Sequence, residues 1–158
     1  MKENKHRKIL IFIFIISLLL DQITKFIAYK KQFIIQNSNI LAQNRGYLII
    51  ISIVIIIMLL RYIQNNNTFI KLDTRIILTL AISGIFGNLI DRIWNTEPLM
   101  FIKITNQINL NLAYIYILIA WVGMAFILTK NTSKMLNEKR VKRNENKSKW
   151  AKYWKKNR

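Results

Sequence analysis

The chain has no cysteine, and for its 158 residues it has little proline, glycine, histidine or acid. Without cysteine there is no disulfide, no thiolate nucleophile and no cysteine-ligated metal. The one histidine, His6, lies in the charged N-terminus, so we expect neither a Ser-His nor a Cys-His catalytic unit, and no metal site. Any carboxylate chemistry must come from seven residues, which are Glu3, Asp21, Asp73, Asp91, Glu97, Glu138 and Glu145.

Apolar and basic residues are separated along the chain. The sequence is 53% hydrophobic and yet has a formal charge of +18, with the apolar residues in blocks and the basic ones gathered at the two ends. A soluble basic protein would intersperse its charges among the apolar residues. Blocks of roughly 20 apolar residues are long enough to cross a bilayer as helices, so the pattern predicts a membrane protein.

Four apolar runs predict an all-α membrane protein with four transmembrane helices, because a backbone in lipid must satisfy its own hydrogen bonds. The predicted helices cover 9–28, 47–60, 76–92 and 110–129. The first run resembles a secretory signal peptide, but it has no convincing small-residue cleavage site and continues past Asp21, so we expect it to remain uncleaved. The predicted parts are a basic N-terminus (1–8), a four-helix transmembrane domain (9–129) and a basic tail (130–158).

The basic residues predict the orientation. The first eight residues hold four Lys or Arg, and the chain from Lys130 onwards holds twelve. Such segments stay in the cytoplasm, and an even number of helices puts both termini on one side, so both are predicted to be cytoplasmic. We interpret the tail as a solvated, partly disordered anchor on anionic lipid. Trp150, Tyr153 and Trp154 favour this membrane interface over nucleic acid, which we do not expect as a partner.

With this orientation, polar residues of all four helices lie near the outer surface. Ionisable groups at such places are costly and are hypotheses about function. A structural alternative stays open, because Asp21 and Lys25 have the spacing of a helical ion pair, while Gly84 and Gly87 permit close helix packing. The polar residues at this level are Asp21, Lys25, Asn44, Asn88, Asp91, Arg92, Asn109, Asn111 and Tyr114.

Four short stretches carry a family resemblance: 21–25 (Asp-Gln-Ile-Thr-Lys), 44–46 (Asn-Arg-Gly), 87–92 (Gly-Asn-Leu-Ile-Asp-Arg) and 111–113 (Asn-Leu-Ala). In order and spacing they resemble the motifs of the bacterial lipoprotein signal peptidase family (signal peptidase II), four-helix membrane aspartic peptidases. The resemblance covers about residues 8–128. It implies a multi-pass protein of the bacterial inner membrane that removes signal peptides from lipid-modified prolipoproteins. The implied partners are the lipid bilayer and these signal peptides, and no cofactor is expected.

The same resemblance places the two catalytic aspartates of the family at Met100 and Tyr114, so both acids are substituted here. An aspartic dyad needs two carboxylates that share a proton, one to activate water and one to polarise the scissile carbonyl. A thioether does neither, and a phenol donates a hydrogen bond but is a poor base. Asp91 is the surviving acid of the region, and a relocated dyad would pair it with Glu97.

Three hypotheses therefore remain from the sequence. The first is a peptidase that uses Asp91 and Glu97, with Tyr114 as a hydrogen-bond donor. The second is a catalytically inactive homologue that binds signal peptides, lipoproteins or another membrane partner. The third is an unrelated small membrane protein of structural or immunity type. The resemblance assigns substrate binding or support of the site to Asp21, Lys25, Asn44, Gly46, Asn88, Arg92 and Asn111.

Overall fold

The computed structural model describes residues 2–34, 45–65, 71–95, 97–105 and 108–156, and Asn44 lies outside these ranges. The four helices are α1 (Lys2–Lys30), α2 (Arg45–Asn65), α3 (Leu72–Asn95) and α4 (Leu112–Lys156). Between α3 and α4, the short strands β1 (Ile102–Lys103) and β2 (Asn109–Leu110) pair antiparallel, with Ile102 opposite Leu110. This small hairpin lies in a segment that the sequence indicates only as a loop.

Within the described residues, four helices are long and apolar enough to cross a membrane. Their surfaces carry large apolar side chains, such as Phe12, Ile50 and Leu118, each at least 60% exposed. An exposed apolar surface of this extent is unfavourable in water but matches the hydrocarbon core of a bilayer. The chain is therefore an all-α, multi-pass membrane protein in a lipid environment, and this sequence prediction is confirmed.

Helices extend beyond the predicted apolar runs. α1 begins at Lys2, inside the basic N-terminal segment, and α4 continues to Lys156. The composition after Lys130 predicts partial disorder, and for residues 130–156 that prediction is wrong. The segment is rich in Lys, Arg and Asn, has two Glu, and contains neither proline nor glycine. Because Lys, Arg and Glu are good helix formers and no helix breaker is present, the helix continues.

The chain divides into two compact units, Met1–Val122 and Gly123–Arg158. In the first unit, α3 is the central helix and packs against both α1 and α2. Half of its most apolar stretch is buried inside the protein, against 17% for α1 and 6% for α2. The polar side chains near the end of α3 therefore lie inside the protein, whereas α1 and α2 turn most of their surface to lipid.

Two glycines allow α3 to approach its neighbours, as their spacing predicts. A Cβ at Gly84 would lie 2.5 Å from the backbone oxygen of Ala113, and one at Gly87 would lie 2.5 Å from Oδ2 of Asp21. Neither position has room for a methyl group unless its neighbour shifts, and these neighbours are backbone at Gly84 and the buried Asp21 carboxylate at Gly87. Gly46, at the start of α2, has no atom within 4 Å of its Cβ position, so packing does not require glycine there.

Candidate functional site

A buried ion cluster joins α1 to α3. The ammonium of Lys25 lies 2.5 Å from Oδ2 of Asp21 and 2.8 Å from Oδ2 of Asp91, and all three side chains are at most 3% exposed. Asp21 and Lys25 meet because they are four residues apart on one helix. One ammonium thus serves two carboxylates, and with both of these ionised the three groups carry a net charge of −1. Such a charge in a buried site needs further hydrogen bonds to be tolerated.

The N-terminus of α4 supplies part of that compensation. Oδ1 of Asp21 accepts a hydrogen bond of 2.8 Å from the backbone N–H of Ala113. Oδ1 of Asn111 accepts one of 2.9 Å from the N–H of Tyr114, so Asn111 is the N-cap of α4. The first N–H groups of a helix lack partners within it and carry partial positive charge. A carboxylate at this end is therefore stabilised, and α4 starts at a fixed point beside α1.

Two buried amides complete the arrangement. Oδ1 of Asn88 accepts hydrogen bonds from Nδ2 of Asn111 at 2.8 Å and from the Lys25 ammonium at 3.3 Å. Asn88 is 2% exposed and Asn111 is not exposed at all. These contacts join α1, α3 and the start of α4 in one network. We call five residues the polar cluster: Asp21, Lys25, Asn88, Asp91 and Asn111.

The polar cluster also holds the segment that follows α3. Oδ2 of Asp91 accepts a hydrogen bond of 3.1 Å from the N–H of Leu99, and Nδ2 of Asn111 donates one of 3.0 Å to the Leu99 carbonyl. Both backbone groups of Leu99 are thereby fixed, immediately before Met100. Asn111 fixes the backbone of Tyr114 as well. The polar cluster therefore positions the backbone at the two places where the family resemblance expects aspartates.

The described contacts bring two acids together, Asp21 and Asp91, through the Lys25 ammonium. The Lys25 ammonium lies between them and contacts the Oδ2 atom of each. The same oxygen of Asp91 also accepts the N–H of Leu99. Glu97, proposed from the sequence as its partner, is half-buried in the segment after α3. The described contacts thus make Asp91 part of an ion cluster.

The remaining predicted residues contribute unequally. Nη1 of Arg92 donates a hydrogen bond of 3.3 Å to the carbonyl of Asn88 within α3, and its Nε is buried without a partner among the described residues. Gly46 is exposed in the first turn of α2 and is not drawn into close packing. Asn44 lies outside the described residues. The second motif therefore has only its last two residues, Arg45 and Gly46, in the described structure.

Arg45 has a role that the sequence did not reveal. Its Nε donates to the carbonyl of Arg92 at 2.7 Å, and its Nη2 donates to the carbonyl of Ile93 at 2.6 Å. The last carbonyls of α3 have no partner within the helix and carry partial negative charge, so a guanidinium caps them well. The only sign of this role in the sequence is that Arg45 is a single cation just before an apolar run. The sequence does not indicate that it caps α3, because that depends on how α2 and α3 pack.

An open cavity of about 310 Å³ lies beside the ion cluster. Lys25, Asp91 and Leu99 form part of its wall, and aromatic rings of α1 and α3 form another part. A mostly apolar cavity with a few convergent polar groups is the usual form of a ligand site. Among the described residues, no group of three His, Asp or Glu side chains is placed to hold a metal ion. The aromatic residues of the wall are Phe26, Tyr29 and Trp94.

The helical fold and the buried polar site together define a multi-pass membrane protein with the fold of bacterial membrane enzymes. One solved structure, described as a bacterial membrane enzyme determined by the in meso method at 2.3 Å, is 21% identical and has a TM-score of 0.68. The match covers 80% of this chain and 91% of that one. A second, at 1.9 Å, is 22% identical with a TM-score of 0.67 and covers 77% and 92%. At these identities the likeness shows the fold alone.

A scan against protein-family models found no match, and a search of curated proteins also found none.

Proposed function

We propose that this chain is a lipoprotein signal peptidase-like protein that binds the signal peptides of lipid-modified prolipoproteins without cleaving them. It would lie in the bacterial inner membrane with both termini in the cytoplasm, the basic segments 1–8 and 130–158 flanking the transmembrane domain 9–129. The ordered motifs and the four-helix fold support this proposal. The single observation that carries it is the Lys25 ammonium between Asp21 and Asp91.

The chemistry of peptide hydrolysis explains why that observation matters. An aspartic peptidase needs one ionised carboxylate to take a proton from water and one protonated carboxyl group to polarise the carbonyl. Met100 and Tyr114 supply neither. Asp21 and Asp91 are both bound to an ammonium and to backbone N–H groups. Losing one member of such a catalytic unit typically slows turnover by about 10⁴-fold or more, and here both positions are changed.

Binding would use what the chain retains. A signal peptide has an apolar core that packs against lipid-facing helices, and its polar end would reach the cavity beside the ion cluster. Phe26, Tyr29 and Trp94 offer aromatic surface there, and such side chains prefer the boundary between lipid and water. The polar cluster would act as a rigid wall, because its carboxylates, its ammonium and the side-chain amide of Asn111 already have partners.

One observation favours a second candidate, a working peptidase. Asp91 lines the cavity, so a bound peptide would lie next to a carboxylate. In this alternative Asp91 and Glu97 would form the dyad, with Tyr114 donating a hydrogen bond to the substrate. For that chemistry the Lys25 ammonium would have to release Asp91 when the substrate binds.

The test compares binding and cleavage of a lipidated prolipoprotein by the purified protein in lipid. We expect the parent to bind the substrate without cleaving it. Met100→Asp with Tyr114→Asp should introduce cleavage, whereas the uncharged pair Met100→Asn with Tyr114→Asn should not. Cleavage by the parent that disappears in both Asp91→Asn and Glu97→Gln would establish the peptidase instead.

A further inference from the structure

The basic segment 130–156 of α4 carries charge that the proposed function does not use. It holds eleven Lys or Arg against two acids, Glu138 and Glu145. The side chains that the structure describes in this segment are all exposed. A helix with this excess of positive charge repels itself, so it gains stability from a negatively charged partner. The position of the charges around the helix indicates which partner.

One side of this helix bears cations without acids. Leu136, Lys139, Arg140, Arg143 and Lys147 recur three or four residues apart, so they share one side of α4. None of these four cations has an acid three or four positions away in the sequence. Their charge is therefore not offset by helical ion pairs. We call Lys139, Arg140, Arg143 and Lys147 the cationic stripe.

The acids lie together elsewhere on the helix. Glu138 and Glu145 are seven residues apart and so point in nearly the same direction. Lys134 and Lys142 each lie four positions from Glu138, and Lys149 lies four positions from Glu145. Opposite charges at this spacing attract one another and weaken the local field. Positive charge is thus offset on one side of α4 and left unopposed on the other.

Apolar surface accompanies the cationic stripe. Leu136 is 53% exposed and its neighbour Met135 is 56% exposed. In the sequence, Trp150 and Trp154 continue the three- and four-residue spacing of the stripe. Tryptophan prefers the membrane–water interface, and clustered Lys and Arg beside a membrane-spanning helix attract anionic lipid. Phosphates alone would not favour exposed leucine and methionine, whereas a lipid surface favours both the charge and the apolar side chains.

We propose that the cationic stripe docks on anionic phospholipid headgroups at the membrane surface, which requires α4 to bend between its membrane-spanning part and Leu136. The choice of the cytoplasmic leaflet rests on the orientation proposed above, but the docking does not. It is also independent of catalysis and of signal-peptide binding, so failure of either leaves this proposal unaffected. The partner is a lipid surface, and binding to RNA or DNA is the competing outcome.

The full chain in lipid nanodiscs provides the first test. Because the protein has no cysteine, single labels can be placed with Leu136→Cys, on the side of the cationic stripe, and with Val141→Cys, on the side of Glu138 and Glu145. The two side chains are similarly exposed, at 53% and 56%. In discs containing phosphatidylglycerol, an environment-sensitive dye at position 136 should become shielded from aqueous iodide, and the dye at 141 should not. Phosphatidylcholine discs, or high salt that screens charge, should remove the shielding. Equal accessibility of position 136 in both kinds of disc would overturn the proposal.

Two variants of equal net charge distinguish docking through the cationic stripe from a general attraction of the basic helix to anionic lipid. The stripe variant is Lys139→Gln, Arg140→Gln and Arg143→Gln, and the matched control is Lys134→Gln, Lys142→Gln and Lys149→Gln. Each cation lost from a lipid contact should lower the ratio of docked to free helix about fivefold. The stripe variant should thus lose about 100-fold, with little change in the control. Equal loss in both variants, or shielding by added RNA but not by phosphatidylglycerol, would overturn the proposal.

Discussion

Asp21 and Ala113 are joined by a hydrogen bond of 2.8 Å from the Ala113 N–H to Oδ1 of Asp21. The other carboxylate oxygen of Asp21 contacts the Lys25 ammonium. The Asp21 carboxylate thereby balances the charge of a buried ammonium and the partial positive charge at the N-terminus of α4. Tyr114 is the next residue of α4, so this contact sets the position of one of the two substituted sites. The buried acid at position 21 is explained by this structural role.

Removal of the Lys25 ammonium should destabilise the protein strongly. Lys25→Met leaves Asp21 and Asp91 as buried carboxylates that face each other without a counter-ion. Breaking a buried ion network in this way typically costs about 3–5 kcal/mol. The free energy of unfolding in mixed micelles, titrated with denaturing detergent, measures the loss.

The control for this change is Lys30→Met, at the exposed end of α1. Lys30 contacts the Phe26 ring at 5.6 Å, and loss of such an exposed cation–π contact costs about 1 kcal/mol or less. If Lys25→Met were no more harmful than Lys30→Met, the ion cluster would not stabilise this fold.

A methyl group at position 87 should be costly, and one at position 46 should not. The Cβ of Gly87→Ala would lie 2.5 Å from Oδ2 of Asp21. Either the Asp21 carboxylate would leave its place beside Lys25, or α1 and α3 would have to separate. Overpacking of this kind costs roughly 1–3 kcal/mol. Gly46→Ala meets open space and should be neutral, or stabilise α2 by about 0.5–1 kcal/mol. Unfolding of both variants in the same detergent series is the measurement, and equal stability would contradict the close packing.

Much of the fold can be predicted from the sequence, because span length and hydrophobicity in lipid depend on local composition. The extent of α4 is an exception, since charge alone suggests disorder while helix propensity favours continuation to Lys156. The sequence also predicts that Asp21, Lys25 and Asp91 lie at one depth in the membrane, because successive helices cross it in opposite directions. It does not predict their mutual contacts, because the bridge from Lys25 to Asp91 depends on the rotation of α1 against α3.

The role of Arg45 is the clearest case that sequence alone does not reveal. Arg45→Gln should destabilise the end of α3, because the guanidinium donates to the carbonyls of Arg92 and Ile93. Hydrogen bonds from charged groups contribute about 1.5–3 kcal/mol each at most, and partial exposure lowers that figure. Faster amide hydrogen exchange in the last turn of α3 is the measurement. Arg61→Gln, at an exposed position near the end of α2, is the control and should leave that turn unchanged.

We expect the backbone positions of both Met100 and Tyr114 to depend on the side chain of Asn111. Its side chain donates to the Leu99 carbonyl beside Met100 and accepts the Tyr114 N–H. Asn111→Ala removes the N-cap of α4, worth about 1 kcal/mol, and leaves buried groups of Asn88 and Leu99 with fewer partners, each costing roughly 1–3 kcal/mol. We expect lower stability and greater mobility of backbone labels near position 100.

The role of Asn111 can be tested by activity in the variant that combines Met100→Asp with Tyr114→Asp. If Asn111 positions these two sites, adding Asn111→Ala should remove the introduced cleavage, because a displacement of about 1 Å between catalytic groups costs on the order of 100-fold in rate. Asn131→Ala, exposed on α4, should leave that cleavage unchanged. Substrate binding measured alongside separates misplacement of the acids from loss of the site. Full cleavage without Asn111 would mean that the two positions are set by the helices alone.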